Sequence, residues 1–300
     1  MNLLQAIILG IVQGLTEFIP ISSTAHLVFA SRLTNLYEGN PERITATIAV
    51  IQLGTLAAVF VYFASDIFNI TIAFLRDHWA LLTRNRRLNF PGTHGVRPMW
   101  LSEESWLGWL IIIGSIPIGT IGLLLKKQIE GSATKNLWFI AIMLIAVAVL
   151  LALAEVVGRQ RKELKEFGII DALVVGFAQV LALMPGASRS GSTIMGGLFA
   201  GQKREAAARF SFLLMIPAVT ASGLLELKEA IQKNLLSSDD FIALTVGTIV
   251  AGVVGYLSIW FLLAFLKKNS TAVFIIYRII VGTVLLVLLY LNILSPLVNI

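Results

Sequence analysis

Residues 10–31 read GIVQGLTEFIPISSTAHLVFAS, and residues 176–197 read GFAQVLALMPGASRSGSTIMGG. Each is apolar enough to enter a bilayer, yet proline, glycine and hydroxyl residues break it too often for one spanning helix. Both run Gly, two residues, Gln, one residue, Leu, then Pro, then a Ser cluster. Gly10, Gln13, Leu15, Pro20 and Ser22 align with Gly176, Gln179, Leu181, Pro185 and Ser188, with one gap before each Pro-Ser pair. The pattern predicts two helical hairpins that dip into a membrane and return.

Three long apolar stretches follow each broken segment: 44–64, 106–125 and 136–154, then 209–225, 241–266 and 272–294. Each is near the roughly 20 residues that cross a bilayer. A returning hairpin leaves chain direction unchanged, whereas three spans reverse it, so the second half should lie inverted. The expected fold is an all-α polytopic membrane protein with six transmembrane helices and two re-entrant hairpins arranged as an inverted repeat. It forms a single membrane domain, 1–300, with halves near 1–157 and 165–300. Such repeats place a binding site where their broken helices meet.

Composition agrees. The chain is 57% hydrophobic and 13% charged, with mean hydropathy +0.86, whereas soluble domains carry about 25% charged residues. No cysteine is present, which excludes disulfide and thiolate chemistry. The apolar N-terminus lacks the basic region of a signal peptide and is interrupted by Gln13 and Glu17, so it reads as mature protein.

The +6 net charge does not point to nucleic acid, because no recognisable binding module accompanies it. In a membrane protein it reports cytoplasmic loops. With loop 65–105 cytoplasmic, the same side receives 155–168, 202–209 and 267–270. That side then holds fourteen Lys and Arg, against seven opposite; Arg189 and Arg278 stay within the membrane. Both termini are expected to be extracytoplasmic, with the first hairpin entering from outside and the second from the cytoplasm.

In the first hairpin, Gln13 and Glu17 share one helix face, and Gly10 and Gly14 let another helix approach closely. Pro20 ends the helix; Ser22, Ser23, Thr24 and His26 follow. An intramembrane carboxylate is costly and functional by default. The plainer reading, Glu17 solvated at the interface, leaves the neighbouring hydroxyls and imidazole without a reason. His26 fits a general acid/base or nucleophile, or a structural residue satisfied by one hydrogen bond, and the hairpin alone does not choose. His78 and His94 fall in the polar loop and need no special account.

The second hairpin carries PGASRSGST at 185–193. A helix N-terminus there would offer free N–H groups to an anion; Ser188, Ser190 and Thr193 add donors, and Arg189 supplies a fork suited to phosphate oxygens. A snorkelling Arg189 would not call for so many hydroxyls. Arg278, about seven residues into the last span and roughly 10 Å deep by helix rise, reads as snorkelling. Glu155, Asp171 and Glu226 read as interfacial. An acid, an imidazole, hydroxyls and an arginine suit phosphoryl transfer, where positioning and charge stabilisation carry catalysis. No P-loop, kinase motif set or HExxH occurs, so nucleotide-driven transport and zinc proteolysis gain no support.

QGLTEFIPISSTAH and PGASRSGST together resemble the undecaprenyl-diphosphate phosphatase family, the bacitracin-resistance proteins. That family carries Glu/Gln-xxx-Glu followed by Pro-x-Ser-Ser-Thr-x-His, and Pro-Gly-x-Ser-Arg-Ser-x-x-Thr. These fall on Gln13, Glu17, Pro20, Ser22, Ser23, Thr24 and His26, then on Pro185, Gly186, Ser188, Arg189, Ser190 and Thr193. The likeness continues through VIQLGTLAAVF, FSFLLMIP and IYR.

The resemblance implies a multi-pass enzyme of the bacterial inner membrane. It would hydrolyse undecaprenyl diphosphate to the monophosphate, recycling the carrier lipid for cell-wall synthesis and conferring bacitracin resistance. It further implies dependence on Mg²⁺ or Ca²⁺, which no metal-ligand spacing reveals. The expected catalytic residues are Glu17, Ser23, His26 and Arg189, with Gln13, Ser22, Thr24, Ser188, Arg189, Ser190 and Thr193 binding substrate and Glu17 holding the cation. Gln13, where some members have glutamate, leaves Glu17 as the lone carboxylate. Ser23 or His26 would attack or assist: Ser23 is slightly favoured as nucleophile, with His26 to orient or deprotonate it, and attack by His26 or directly by water stays open. The expected partners are the polyprenyl diphosphate and membrane lipids, with no nucleic acid and a homodimer left open. The rival class is a transporter or flippase of a phosphorylated polyprenyl lipid, which shares the architecture but does not need an acid, imidazole and hydroxyl set.

Overall fold

The computed structural model describes residues 1–83, 97–125, 136–236 and 240–296. Among these it is all helical. The first hairpin is α1 (Leu3–Phe18) and α2 (Ser23–Leu33), followed by α3 (Pro41–Tyr62), α4 (Ala64–Leu82), α5 (Glu103–Leu124) and α6 (Leu137–Val157). The second is α7 (Ile169–Val180) and α8 (Arg189–Phe199), followed by α9 (Arg204–Gln232), α10 (Phe241–Leu266) and α11 (Ala272–Tyr290). Six of them, α3, α5, α6, α9, α10 and α11, are long and apolar enough to cross a membrane. They coincide with the six expected spans, and the protein is a polytopic α-helical membrane protein.

Helix starts follow the local sequence. Asn2 and Gln5 form a capping box at α1. Asn40 caps α3 with Pro41 in its first turn, and Ser102 caps α5. Each supplies an oxygen to an N–H that the helix itself cannot satisfy.

The expected loop 65–105 is corrected in part, because residues 64–82 form α4. Asp66, Arg76 and Asp77 depress its hydropathy below that of a span, yet its inward face packs on α5. Asp77 is buried and accepts from the Ser102 N–H and hydroxyl, both at 2.7 Å. His78 does have a role: it accepts from the Trp109 indole at 3.1 Å and donates to the Phe74 carbonyl at 2.6 Å. His94 lies outside the described residues.

The two hairpins dock on the spans of opposite halves. The first packs through α1 on α10, and the second through α7 on α5. Glycines permit both approaches: a Cβ at Gly10 would meet the Gly247 carbonyl, and one at Gly176 the Gly114 carbonyl. α3 and α10 touch through Gly54, where a Cβ would strike the Thr248 carbonyl. Close backbone approach of this kind is how membrane helices gain packing energy. α6 and α11 pair, as do α3 and α9. The central apolar cluster includes Phe18, Phe63, Phe212 and Ile259, with Phe18 edge-on to Phe212 at 5.5 Å.

In each hairpin, side-chain or backbone bonds join the start of its first helix to the end of its second. Gln5 Nε2 donates to the Thr34 carbonyl at 2.8 Å, joining the start of α1 to the end of α2. Lys203 N donates to Lys162 O, and Lys162 Nζ reaches Asp171 at 2.6 Å, joining the end of α8 to the start of α7. Asp66–Arg209, Glu155–Arg204 and Lys267–Glu205 ion pairs gather the second hairpin's end of the bundle. Arg43–Asp240 at 2.8 Å lies at the other.

Candidate active site

The tips of the two hairpins meet inside the bundle. α1 stops at Phe18, where Ile19 turns extended and Pro20 removes an amide donor. Ser22 then takes a positive φ of 77° and its Oγ caps α2 by accepting from Ala25 N at 3.5 Å. In the second hairpin α7 tightens into a short 3-10 turn, Leu181–Leu183, before Pro185. Gly186 follows at φ 93°, pressed against the Ile140 carbonyl where a side chain would collide. Ser188, at φ 70°, caps α8 through Gly191 N at 3.2 Å. Two helix N-termini, each the favourable end of a helix dipole for an anion, thus begin beside each other.

Glu17 is the hub. Its Oε1 pairs with Arg189 Nη2 across the hairpins. Its Oε2 accepts from Ser23 Oγ at 2.8 Å and from Gln13 Nε2 at 3.2 Å. Gln13 Nε2 also faces Thr55 Oγ1 of α3 at 3.4 Å, while Gln13 Oε1 is buried without a partner among the described residues. The carboxylate is 6% exposed and the guanidinium 17%, so the pair opens only slightly on its arginine side. Ser190 Oγ ties the tips again by donating to Ile19 O at 3.3 Å, and it lies 3.2 Å from Ser188 Oγ.

His26 stands apart from this hub. Its Nδ1 is 2.7 Å from Ser22 O and its Nε2 is 2.7 Å from Tyr277 Oη on α11. The expected Ser23–His26 pair is therefore corrected: the hydroxyl is on Glu17, and both imidazole nitrogens are occupied elsewhere. Thr193 also differs from its expected part in substrate binding. Its Oγ1 donates to Arg189 O at 2.8 Å and is 2.5 Å from Ser211 Oγ, so it fastens α8 to α9. Thr24 is exposed beside the hub.

The snorkelling reading of Arg278 is wrong. Arg278 is fully buried at 0% exposure. It donates to Pro20 O in the first tip, to Gly186 O and Ala187 O in the second, and to Met143 O and Leu144 O in α6, at 3.0–3.3 Å. Depth alone could not reveal this, because the acceptors are backbone carbonyls distant in sequence. Sequence reasoning also missed Tyr277 and Thr55; the IYR stretch was the available signal for both Tyr277 and Arg278. Gln179, the counterpart of Gln13, is buried, and neither of its amide atoms has a partner among the described residues. Among the described residues no group of three or more His, Cys, Asp or Glu could hold a metal ion.

A carboxylate, a hydroxyl and a guanidinium are held between two helix N-termini inside an apolar bundle, groups whose chemistry suits acyl or phosphoryl transfer. The family described as Bacitracin resistance protein BacA matches residues 6–284, and the chain belongs to it. A protein of Syntrophobacter fumaroxidans named undecaprenyl-diphosphatase is 52% identical over 287 residues, covering 95% of this chain and 97% of its own. Proteins of the same name from Chloroherpeton thalassium and Chlorobium chlorochromatii are each 46% identical, over 297 and 303 residues. The first covers 96% of this chain and 97% of its own; the second covers 99% and 100%.

Proposed function

We propose that this protein hydrolyses undecaprenyl diphosphate to undecaprenyl phosphate and inorganic phosphate. The observation that carries the reading is Glu17, which accepts Ser23 Oγ at 2.8 Å while paired with Arg189. It is the arrangement of a base on a nucleophile beside an anion clamp, and the relatives' names agree with it. A flippase would need the clamp but not the carboxylate on the hydroxyl.

Substrate phosphate takes over the Arg189 fork, which releases Glu17 to act as base. Glu17 removes the Ser23 proton as Oγ attacks the terminal phosphorus; the bond to the bridging oxygen breaks and Glu17 hands that proton to the departing polyprenyl phosphate. Glu17, a carboxylate again, then deprotonates a water that attacks the phosphorus; the bond to Ser23 Oγ breaks, Oγ takes the proton back from Glu17, and inorganic phosphate is freed. The N–H groups opening α2 and α8, with Arg189, hold the charge on the phosphoryl oxygens. A Mg²⁺ or Ca²⁺ ion fits here: Mg²⁺ commonly binds through one or two carboxylates plus substrate phosphates and Ca²⁺ through carboxylate and amide oxygens, and Gln13 Oε1, beside Glu17, is a buried oxygen without a partner among the described residues. Glu17 and Gln13 would hold the ion, and it would neutralise diphosphate charge.

The same reading takes the halves as an inverted repeat, the hairpins as re-entrant segments and both termini as extracytoplasmic in a bacterial inner membrane. The test is phosphate release from a polyprenyl diphosphate by the purified protein, with and without a chelator. Release that depends on Glu17 and Arg189 supports the assignment; binding or movement of the lipid without release overturns it.

A further inference from the structure

We propose that Tyr277 is a positioning residue for the hydrolysis, acting through His26; this rests on the phosphatase reading above. A carbonyl only accepts, so the 2.7 Å contact from His26 Nδ1 to Ser22 O puts a proton on Nδ1. In neutral imidazole Nε2 then carries the lone pair, and Tyr277 Oη donates to it at 2.7 Å. The two rings also lie nearly parallel, 12° apart with centroids at 5.7 Å. One ring nitrogen is thus set by the cap of the first hairpin and the other by the last span, so tautomer and orientation are both specified.

The placement gives this consequence for the site. Ser22 O is fixed by the positive-φ cap that also begins α2, and Ser23 is the next residue. Tyr277 is followed by Arg278, whose guanidinium holds the carbonyls of both hairpin tips. The phenol therefore locks α2 through its His26 side chain at the point where α11 already locks the turn backbone. Losing it frees the imidazole and the first turn of α2, which carries the attacking hydroxyl, while the diphosphate clamp on α8 stays intact. The effect belongs in turnover and not in substrate affinity.

The test is Tyr277→Phe in the full-length protein, which keeps the ring stack and removes the donor. One neutral hydrogen bond is worth about tenfold in rate at most sites. We expect kcat to fall about tenfold with KM unchanged, and no further fall when the change is made in a His26→Ala background. The ¹⁵N resonance of His26 Nε2, assigned by its absence in His26→Ala, should shift while that of His78 does not. Unchanged kcat, an equal loss in the His26→Ala background, or an unmoved resonance each overturns the proposal. Tyr277→Leu, which removes stack and donor, guards against a mere packing effect: a loss with Leu but none with Phe also overturns it. If the wild-type protein releases no phosphate, the phosphatase reading falls, and the resonance still tests the Tyr277–His26 bond alone.

Discussion

Ser22 and Ser188 adopt nearly the same unusual backbone, φ 77° and ψ 101° against φ 70° and ψ 117°, and each caps the helix that follows. A side-chain-bearing residue in so sparsely populated a region costs on the order of 1–3 kcal/mol, so both serines are held there by what their oxygens do. Replacing a capping serine by alanine costs about 1 kcal/mol and by glycine only a few tenths, and glycine also relieves the positive φ. Ser188→Gly should therefore unfold at a higher denaturant midpoint than Ser188→Ala. Equal midpoints would show that the positive φ carries no cost at this turn.

Glu17→Gln keeps the shape and removes the charge. Phosphate release should fall at least about 100-fold, as for a positioned acid/base. The thermal midpoint should fall too, because the Arg189 guanidinium loses its counter-charge in a mostly buried site. A Glu17→Gln/Arg189→Gln double variant should regain the midpoint but not the activity. Near wild-type turnover by folded Glu17→Gln would remove this carboxylate from the reaction.

Arginine-to-lysine changes at the two membrane-depth arginines should now fail differently. Arg189→Lys should fold and insert, yet lose about 100-fold in phosphate release, since a lysine cannot reproduce two parallel bonds to phosphate. Arg278→Lys should lower the yield of folded protein itself, because one ammonium cannot span carbonyls in both tips and α6. A well-folded, fully active Arg278→Lys would show that the five carbonyl contacts are dispensable.

Gln13→Glu sets a second carboxylate one turn from Glu17 and takes away the amide hydrogens now donated to Glu17 and Thr55. The variant should remain active with Mg²⁺ or Ca²⁺ and lose activity only at higher chelator concentration than wild type if an ion sits between these side chains, because a second carboxylate binds the cation more tightly. Identical chelator titrations would place the ion elsewhere or dispense with it.

Burial pushes the Asp77 carboxyl up, but the hydroxyl and N–H of Ser102 and the Arg76 guanidinium outweigh it and hold the group below its usual range. The folded pKa is thus lower than the unfolded one. The stabilisation is fully present above the unfolded value, about 3.9, and is lost as pH falls through the folded value. Wild type should lose stability on acidification below about pH 5, whereas Asp77→Asn should be weaker at neutral pH and show less of this decline. Parallel pH–stability curves for the two proteins would deny Asp77 this role.

The six spans were legible because length and apolarity are local properties; 241–266 coincides with α10. The turns were legible for a related reason, since Pro20 and Gly186 act on their own backbones. α4 escaped because three charged residues interrupt its apolar pattern, although of these three only Asp77 is buried. Within the site, Gln13 and Glu17 could be paired from helix periodicity alone. Arg189 on Glu17, Tyr277 on His26 and Thr193 on Ser211 could not: each contact joins elements whose approach depends on how whole helices pack. A hydroxyl-rich run says that donors are present, not which of them packing consumes.

Arg278 follows every other element of the site in chain order. While the protein is being synthesised and inserted, the Pro20, Gly186 and Ala187 carbonyls have no guanidinium to receive them, and backbone left unpaired in hydrocarbon is unstable. The two tips can therefore approach early, joined by Glu17–Arg189 and Ser190–Ile19, but their turn carbonyls stay unpaired until the last helix arrives. The junction of the hairpins is thus completed in one late step of biogenesis instead of accumulating helix by helix.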